Sequence, residues 1–368
     1  MCCYIEKNHG GVNNLLRKVA LKNIKGDEIL AQDIMTEYDT LLMSSGVVLK
    51  KEYIHRLIDL GITYIYVEDE YAKGIKKEDI TEIMIKEQCQ KEVRQTLDKF
   101  TCSGSNELEA MKEVAQEIIS DLLDDENIMF NVSGVRQKAE SAYSHSINVA
   151  ALTVFIALKM KINKNKIREI AIGALLHDIG YIYVNTEIKE KCYKDFTNEE
   201  KRELRMHVVH GYTVVEKEDW LSGIAKEIIF HHHEHVDGSG YPMHIKGDRI
   251  KIGSKIVAVC DAFDRMIYGI YGEKMKVHEA MEYISANSGK MYDEEVTKFF
   301  NQVVAAYPNG TIVLTSTNEI GIVYKQNKGY PTRPIIRMLK NSQGKEYDNW
   351  VEKDLLKELS LFIKDTVE

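Results

Sequence analysis

The stretch KNKIREIAIGALLHDIG, residues 164–180, decides the architecture of the chemical part of this chain. Ile167, Ile170, Ala171, Ala174 and Leu175 recur at helical spacing. Continuing their stripe carries His177 and Asp178 to the inward side just before Gly180, the expected end of the helix. An imidazole and a carboxylate thus face an apolar interior side by side. Alone, such a pair equally describes a hydrogen-bonded core histidine beside an ion-paired aspartate, so its meaning rests on what the rest of the chain turns toward it.

His145 opens a second apolar stripe through Val149, Leu152 and Ile156 and also points inward. Asp261 sits in GSKIVAVCDAFDRM, residues 253–266, an otherwise apolar helix where an ionised carboxylate must be paired or bound to a metal. Its ordinary partner would be Arg265, one turn on, while Cys260 is rotated about 100° away. His232 and His233 belong to HHHEHVDGSGYP, residues 231–242, where the helix-like stretch 225–230 meets a glycine-rich loop. Adjacent histidines on a helix differ by that same rotation, so both reach one cluster only at a helix end, which the glycines permit. A solvated histidine surface is the plainer alternative.

His145, His177, Asp178, His207, His232, His233 and Asp261 together offer only imidazole and carboxylate donors. That set suits iron, manganese, zinc or nickel in an open catalytic site, not a thiolate structural site. A carboxylate shared by two such cations would let the pair polarise a phosphoryl group and steady both oxygens of an in-line displacement. Phosphoester hydrolysis is the chemistry this donor set serves best.

Outward from this centre, residues 127–305 are helical by periodicity and hold ten of the twelve histidines. His210, His231, His235 and His244 are expected to lie outside any metal shell. Residues 1–74 read as a small α+β module, with Val47–Leu49 and Ile62–Val67 as strands and Lys50–Leu60 as a helix ended by Gly61. Residues 75–126 read as linker helices broken by TCSGSN at 101–106. After Tyr307-Pro308-Asn309-Gly310, strands are expected at 311–315, 320–324 and 335–339, then an amphipathic terminal helix near 351–364, giving a β-rich extension over 306–368. The fold class is mainly α.

Bulk properties agree with a folded multidomain protein: 368 residues, 44% hydrophobic and a formal charge of −8. Mixed signs along the chain argue against wrapping a nucleic-acid polymer. No apolar run approaches the roughly 20 residues that cross a bilayer, and the start lacks a secretion signal, so no membrane contact and a cytoplasmic location are expected. The six cysteines form no CxxC pair and read as free thiols.

The order and spacing of SHSINVA (144–150), LLHDIG (175–180), MHVVHGY (206–212), HHEHVDGSGYP (232–242) and AVCDAFDRM (258–266) resemble the HD-GYP family, a branch of the HD phosphohydrolases. The tail pieces YPNGTIVLTS, EIGIVY and PTRPII are similar to an extension that often follows such domains. This resemblance implies an all-helical catalytic domain that cleaves cyclic di-GMP to the linear dinucleotide or GMP, with mixed cyclic dinucleotides accepted by some members. It makes the seven residues ligands of a binuclear iron or manganese centre, with Asp178 bridging. His145, His177 and Asp261 would complete one shell and His207, His232 and His233 the other. His177 and Asp178 would be catalytic, and Tyr181, Gly240, Tyr241 and Pro242 would meet the substrate. Members with a third metal carry a glutamate four residues before the first histidine. Here that position is Ser141, with Glu140 one step off, so two metals are implied. A diguanylate cyclase docking on the GYP surface and a homodimer through the linker helices are the partners expected by resemblance.

The chain departs from the family pattern at three places. Tyr181 stands where a lysine usually follows HDIG. Residues 268–274, YGIYGEK, replace a basic RPYR-like stretch, and His244-Ile245 replaces a glycine-leucine. Two alternatives to a cyclic di-GMP phosphodiesterase follow: a receptor or scaffold that keeps the metal centre without turnover, and an HD hydrolase of another phosphoester.

Overall fold

The computed structural model describes residues 16–21, 41–59, 64–68, 105–123, 141–185, 193–270, 272–327, 329–347 and 349–367, together with 62, 95, 96 and part of 24–35. The chain divides into two compact units. One comprises residues 1–77, 308–327 and 333–368, the other residues 78–307 and 328–332. Of the linker helices expected over 75–126, through which a homodimer is expected, only residues 95, 96 and 105–123 lie among the described residues.

In the first unit, β1 (Leu16–Ala20) pairs antiparallel with β4 (Tyr64–Glu68), and β2 (Ile34–Met35) with β3 (Leu41–Met43); α1 (Lys51–Asp59) runs between β3 and β4 in the chain. Leu30, Leu49, Ile54, Leu57, Ile65 and Val67 share one buried cluster, which explains why these short apolar runs fold at all. The expected strand at 47–49 contributes only an isolated bridge from Val48 to Ile29.

The same unit holds an antiparallel sheet of β5 (Ile312–Thr315), β6 (Ile320–Lys325), β7 (Ile335–Lys340), β8 (Glu352–Asp354) and β9 (Ile363–Thr366), in the order β8-β7-β6-β5-β9. The amphipathic helix expected over 351–364 is not formed. Its two ends are instead the edge strands β8 and β9, paired to β7 and β5. Arg333 holds the turn between them, its Nη1 donating to the carbonyls of Leu361 (2.8 Å), Leu359 (3.3 Å) and Leu355 (3.4 Å). Sheet pairing and a guanidinium that collects carbonyls outweigh a helical apolar period.

The second unit is helical: α2 (Met111–Leu123), α3 (Ser141–Lys159), α4 (Lys164–Leu176), α5 (Asn198–Arg205), α6 (His207–Val215), α7 (Gly223–His231), α8 (Ile252–Tyr268), α9 (Val277–Ala286) and α10 (Glu294–Val303). Side chains that accept backbone N–H groups start several of them: Asn163 for α4, Thr197 with Glu200 as a capping box for α5, Ser222 for α7 and Asp293 for α10. Gly269, in the left-handed region at φ 68°, stops α8. Helix α4 is central, packed on α3 and α7, and α8 packs on both of those. Ile167, Ile170, Ala171, Ala174 and Leu175 are all buried, each large one contributing roughly 1.5–3 kcal/mol. Helix α2, expected to be part of a linker, packs on α3 and α4 inside this unit.

Helix α4 ends at Leu176, before Gly180. His177 caps it, and Ile179–Tyr183 forms a 3-10 turn. Gly180 therefore does not terminate the helix but allows a close approach: a Cβ there would lie 1.9 Å from the His207 carbonyl oxygen and 2.5 Å from the Gly211 nitrogen. The turn carrying Asp178 and the helix carrying His207 meet backbone to backbone.

That approach sets an expected outcome. Gly180→Ala should lower the unfolding free energy by about 1–3 kcal/mol or more, because backbone cannot yield as a flexible side chain does. Gly223→Ala, where an added Cβ meets nothing within 4 Å, should be neutral or slightly stabilising. Denaturant unfolding of both variants checks the contrast, and equal effects would refute it.

Candidate metal centre

Two groups of side chains in the helical unit could each hold a metal ion: His145, His177, Asp178 and Asp261 in one, Asp178, His207, His232 and His233 in the other. All seven residues singled out from the sequence are thereby brought together, and Asp178 is common to both groups. His145 comes from α3 and Asp261 from α8, while His177 and His232 cap the C-terminal ends of α4 and α7, and His207 opens α6. Because α7 ends at His231, His232 and His233 leave the helix together, which lets adjacent residues reach one group.

Local hydrogen bonds orient the imidazoles. The Nδ1 atoms of His177 and His207 lie 2.7 Å from the carbonyls of Ala174 and Leu204, and that of His232 lies 3.1 Å from those of Ile228 and Ile229. A carbonyl only accepts, so each Nδ1 carries a proton and donates it, and Nε2 is the nitrogen left to take a metal or a second proton. Asp264 Oδ2 lies 2.7 Å from His145 Nδ1 and plays the same part there, while its Oδ1 accepts from Asn148 at 2.9 Å.

The lone pairs converge. His145 Nε2 and His177 Nε2 are 3.3 Å apart, and His207 Nε2 and His232 Nε2 are 3.4 Å apart. Facing lone pairs repel unless a proton or a metal lies between them. Asp178 Oδ1, buried and 3.5 and 3.6 Å from the Nε2 atoms of His207 and His232, has no hydrogen-bond partner among the described residues, nor has His233 Nε2. Leaving such atoms unmatched is costly. Donor chemistry, facing lone pairs and an orphaned buried oxygen all fit divalent transition metals in these positions.

The charges agree. Asp178, Asp261 and Asp264 stand against one guanidinium, Arg265, whose Nε donates to Asp261 Oδ1 at 2.5 Å and whose Nη2 donates to Asp178 Oδ2 at 2.8 Å. Burial would raise both of these carboxyls, but Arg265 and the neighbouring histidines hold them well below the usual carboxylate range. Burial also works against a charged His145 or His177, yet the surrounding aspartates outweigh it and lift them to about 10 and about 9. At His207 burial wins and pushes the ring down to about 3, and it lowers His232 and His233 as well. The first group attracts positive charge; the second presents neutral imidazoles.

The residues expected to meet substrate flank these groups. Tyr181 stacks on the His207 ring with centroids 4.1 Å apart, and Tyr241 stacks on His233 at 4.8 Å. Gly240 lets the loop fold back, since a Cβ there would lie 2.4 Å from the His233 carbonyl oxygen and the His235 nitrogen. Pro242 follows in a cis peptide with Tyr241. His210, His231, His235 and His244 belong to neither group; His235 Nδ1 instead meets Ser239 Oγ at 2.8 Å. Glu140 lies outside the described residues, and nothing is described of the Ser141 side chain.

Sequence reasoning missed Asp264, although its place three residues after Asp261 puts it on the same helix face. It named Arg265 only as a partner of Asp261 and missed its reach to Asp178. It also missed Glu234, buried beside the GYP loop with Oε1 accepting from the Met243 nitrogen at 2.6 Å.

With this geometry in view, comparison with known proteins is direct. A profile described as HD domain matches residues 105–296, more than half of the chain, and one described as KOW domain associated with HD domain matches residues 312–368. The chain belongs to the HD domain family. It is 26% identical over 234 residues to a cyclic di-GMP phosphodiesterase of Pseudomonas aeruginosa, covering 63% of this chain and 56% of that protein. It is 29% identical over 165 residues to 3'3'-cGAMP-specific phosphodiesterase 1 of Vibrio cholerae, covering 42% of this chain and 35% of that protein. The chain thus spans about half, or less, of the length of these relatives. An HDG"Y"P protein from Bdellovibrio bacteriovorus shares the fold at a TM-score of 0.53 and 17% identity, over 78% of this chain and 98% of its own. No helix among the described residues is long and apolar enough to cross a membrane.

Metal analysis tests the site as built. Asp178→Ala should lose both ions, because its carboxylate serves both groups, and Asp264→Ala should weaken metal binding about 10- to 100-fold by releasing His145. His210→Ala should keep both ions. Elemental analysis and Mn(II) titration of the three variants read this out; full occupancy in Asp178→Ala would show that the carboxylate is not shared.

Proposed function

We propose that this HD domain protein is a metal-dependent phosphodiesterase of the HD-GYP type that opens cyclic di-GMP to the linear dinucleotide or GMP. The observation that carries this reading is the single carboxylate, Asp178, common to two histidine-rich groups, in a chain whose relatives are named cyclic dinucleotide phosphodiesterases. When bound there, two divalent transition metals, iron or manganese, supply Lewis acidity toward a phosphoryl group and an activated water.

The side chains supply the rest. Asp178 offers one oxygen to each group and fixes their spacing, and His177 beside it completes the first. Asp264 and the helix-end carbonyls hold the rings of His145, His177, His207 and His232 so that their Nε2 atoms face inward. Tyr181 and Tyr241 bracket the second group and provide aromatic surface against which a guanine can pack. Positive charge for the phosphates, absent at position 181, is available from Arg265, whose Nη1 lies 3.4 Å from the Tyr181 hydroxyl, and from exposed Arg205, whose guanidinium lies 5.4 Å above the Tyr241 ring.

A second reading concerns the substrate. Several relatives are named for 3'3'-cGAMP, so the mixed cyclic dinucleotide is the competing ligand of the same site. Anaerobic purification with metal analysis, then incubation with cyclic di-GMP or 3'3'-cGAMP and product chromatography, separates the two. Linear product from cyclic di-GMP is expected, with kcat/KM falling by roughly three orders of magnitude in His177→Ala and Asp178→Ala. Turnover of 3'3'-cGAMP alone would favour the second reading, and intact ligand from a fully loaded protein would point to a receptor.

A further inference from the structure

The two metal groups are not equivalent, and the difference lies in Arg265. Asp178 Oδ2, 3.4 Å from His177 Nε2 and 3.5 Å from His145 Nε2, already accepts from Arg265 Nη2 at 2.8 Å. Asp261 Oδ1, 3.0 Å from His145 Nε2, accepts from Arg265 Nε at 2.5 Å. Both carboxylates of the first group are therefore matched by a guanidinium of the protein itself. On the side of the second group Arg265 does not reach: among the described residues Asp178 Oδ1 faces His207 and His232 with no hydrogen-bond partner, and His233 Nε2 is equally unmatched.

We propose that Arg265 is an internal counter-cation that makes the two positions load in order, the His207–His232–His233 group first and tightly, the His145–His177–Asp261 group second and weakly. This rests on the metal-centre reading above and deepens it. An ion entering the second group relieves a buried carboxylate oxygen that no donor meets and that lies 3.5 and 3.6 Å from two ring nitrogens. An ion entering the first must share two carboxylates with a fixed positive charge at salt-bridge distance, or displace it. The arginine is held from its other side as well: its Nη1 donates to the Tyr181 hydroxyl at 3.4 Å and its guanidinium lies 5.6 Å from that ring, with 15% of its side chain exposed. Arg265 is thus a positioning residue for the centre, acting through Asp178 and Asp261.

Mn(II) titrated into the metal-stripped full chain, followed by calorimetry and electron paramagnetic resonance, tests the order of loading without using activity. The wild type should bind in two steps, the second weaker by at least about tenfold, with an uncoupled Mn(II) signal at one equivalent and a coupled pair only beyond it. His207→Ala should remove the tight step. Arg265→Met and Arg265→Gln should both tighten the weak step by about tenfold, whereas Arg265→Lys, which keeps the charge, should leave it weak. Agreement between Met and Gln, one apolar and one able to hydrogen-bond, separates charge from packing. Two equal steps in the wild type, or a weak step that Met and Gln leave unchanged or loosen, would overturn the role given to Arg265 while leaving the metal centre standing. No binding in any form would remove the metal centre itself.

Discussion

A carboxylate taken out of water must be matched by positive charge or by hydrogen-bond donors, and Asp178 faces that constraint on two sides at once. One of its oxygens accepts from Arg265 and lies near His145 and His177; the other looks toward His207 and His232 and finds no donor among the described residues. Much of the helical unit follows from placing this group. Helix α4 must be buried deeply enough to carry it inward, Gly180 must be small enough for α6 to approach, and α3 and α8 must bring His145 and Asp261 to the same side.

The ends of helices do double work in this arrangement. The last carbonyls of a helix lack intrahelical partners. Here Ala174, Leu204, and Ile228 with Ile229 give theirs to the Nδ1 atoms of His177, His207 and His232. Each contact uses a carbonyl of a helix's last turn to place a proton on Nδ1 and turn Nε2 inward. Histidine placement and helix termination are one feature, which is why adjacent His232 and His233 can serve a single group.

Legibility in the sequence followed the range of the interactions. The stripe through Ile167 and Leu175, the apolar runs of β5, β6 and β7, and the helix at 51–59 all reflect periodicity or turn residues within a few positions. Where a distant partner decides, local reading failed. Residues 351–364 have a helical period yet form two edge strands, because β7 and β5 offer them backbone partners and Arg333 gathers the carbonyls between. Gly180 read as a helix stop, whereas its small size serves a contact with residues 207 and 211.

By itself the sequence determined the donor types, their inward direction and the mainly helical context, because these depend on residue chemistry and on a period of 3.6. Only the tertiary structure showed that Asp264 holds His145 and that Arg265 on α8 reaches across 87 positions of chain to Asp178. Periodicity says which way a side chain faces. It does not say what will face it, because that is set by how separate helices pack, and the unequal charge of the two metal groups arises only there.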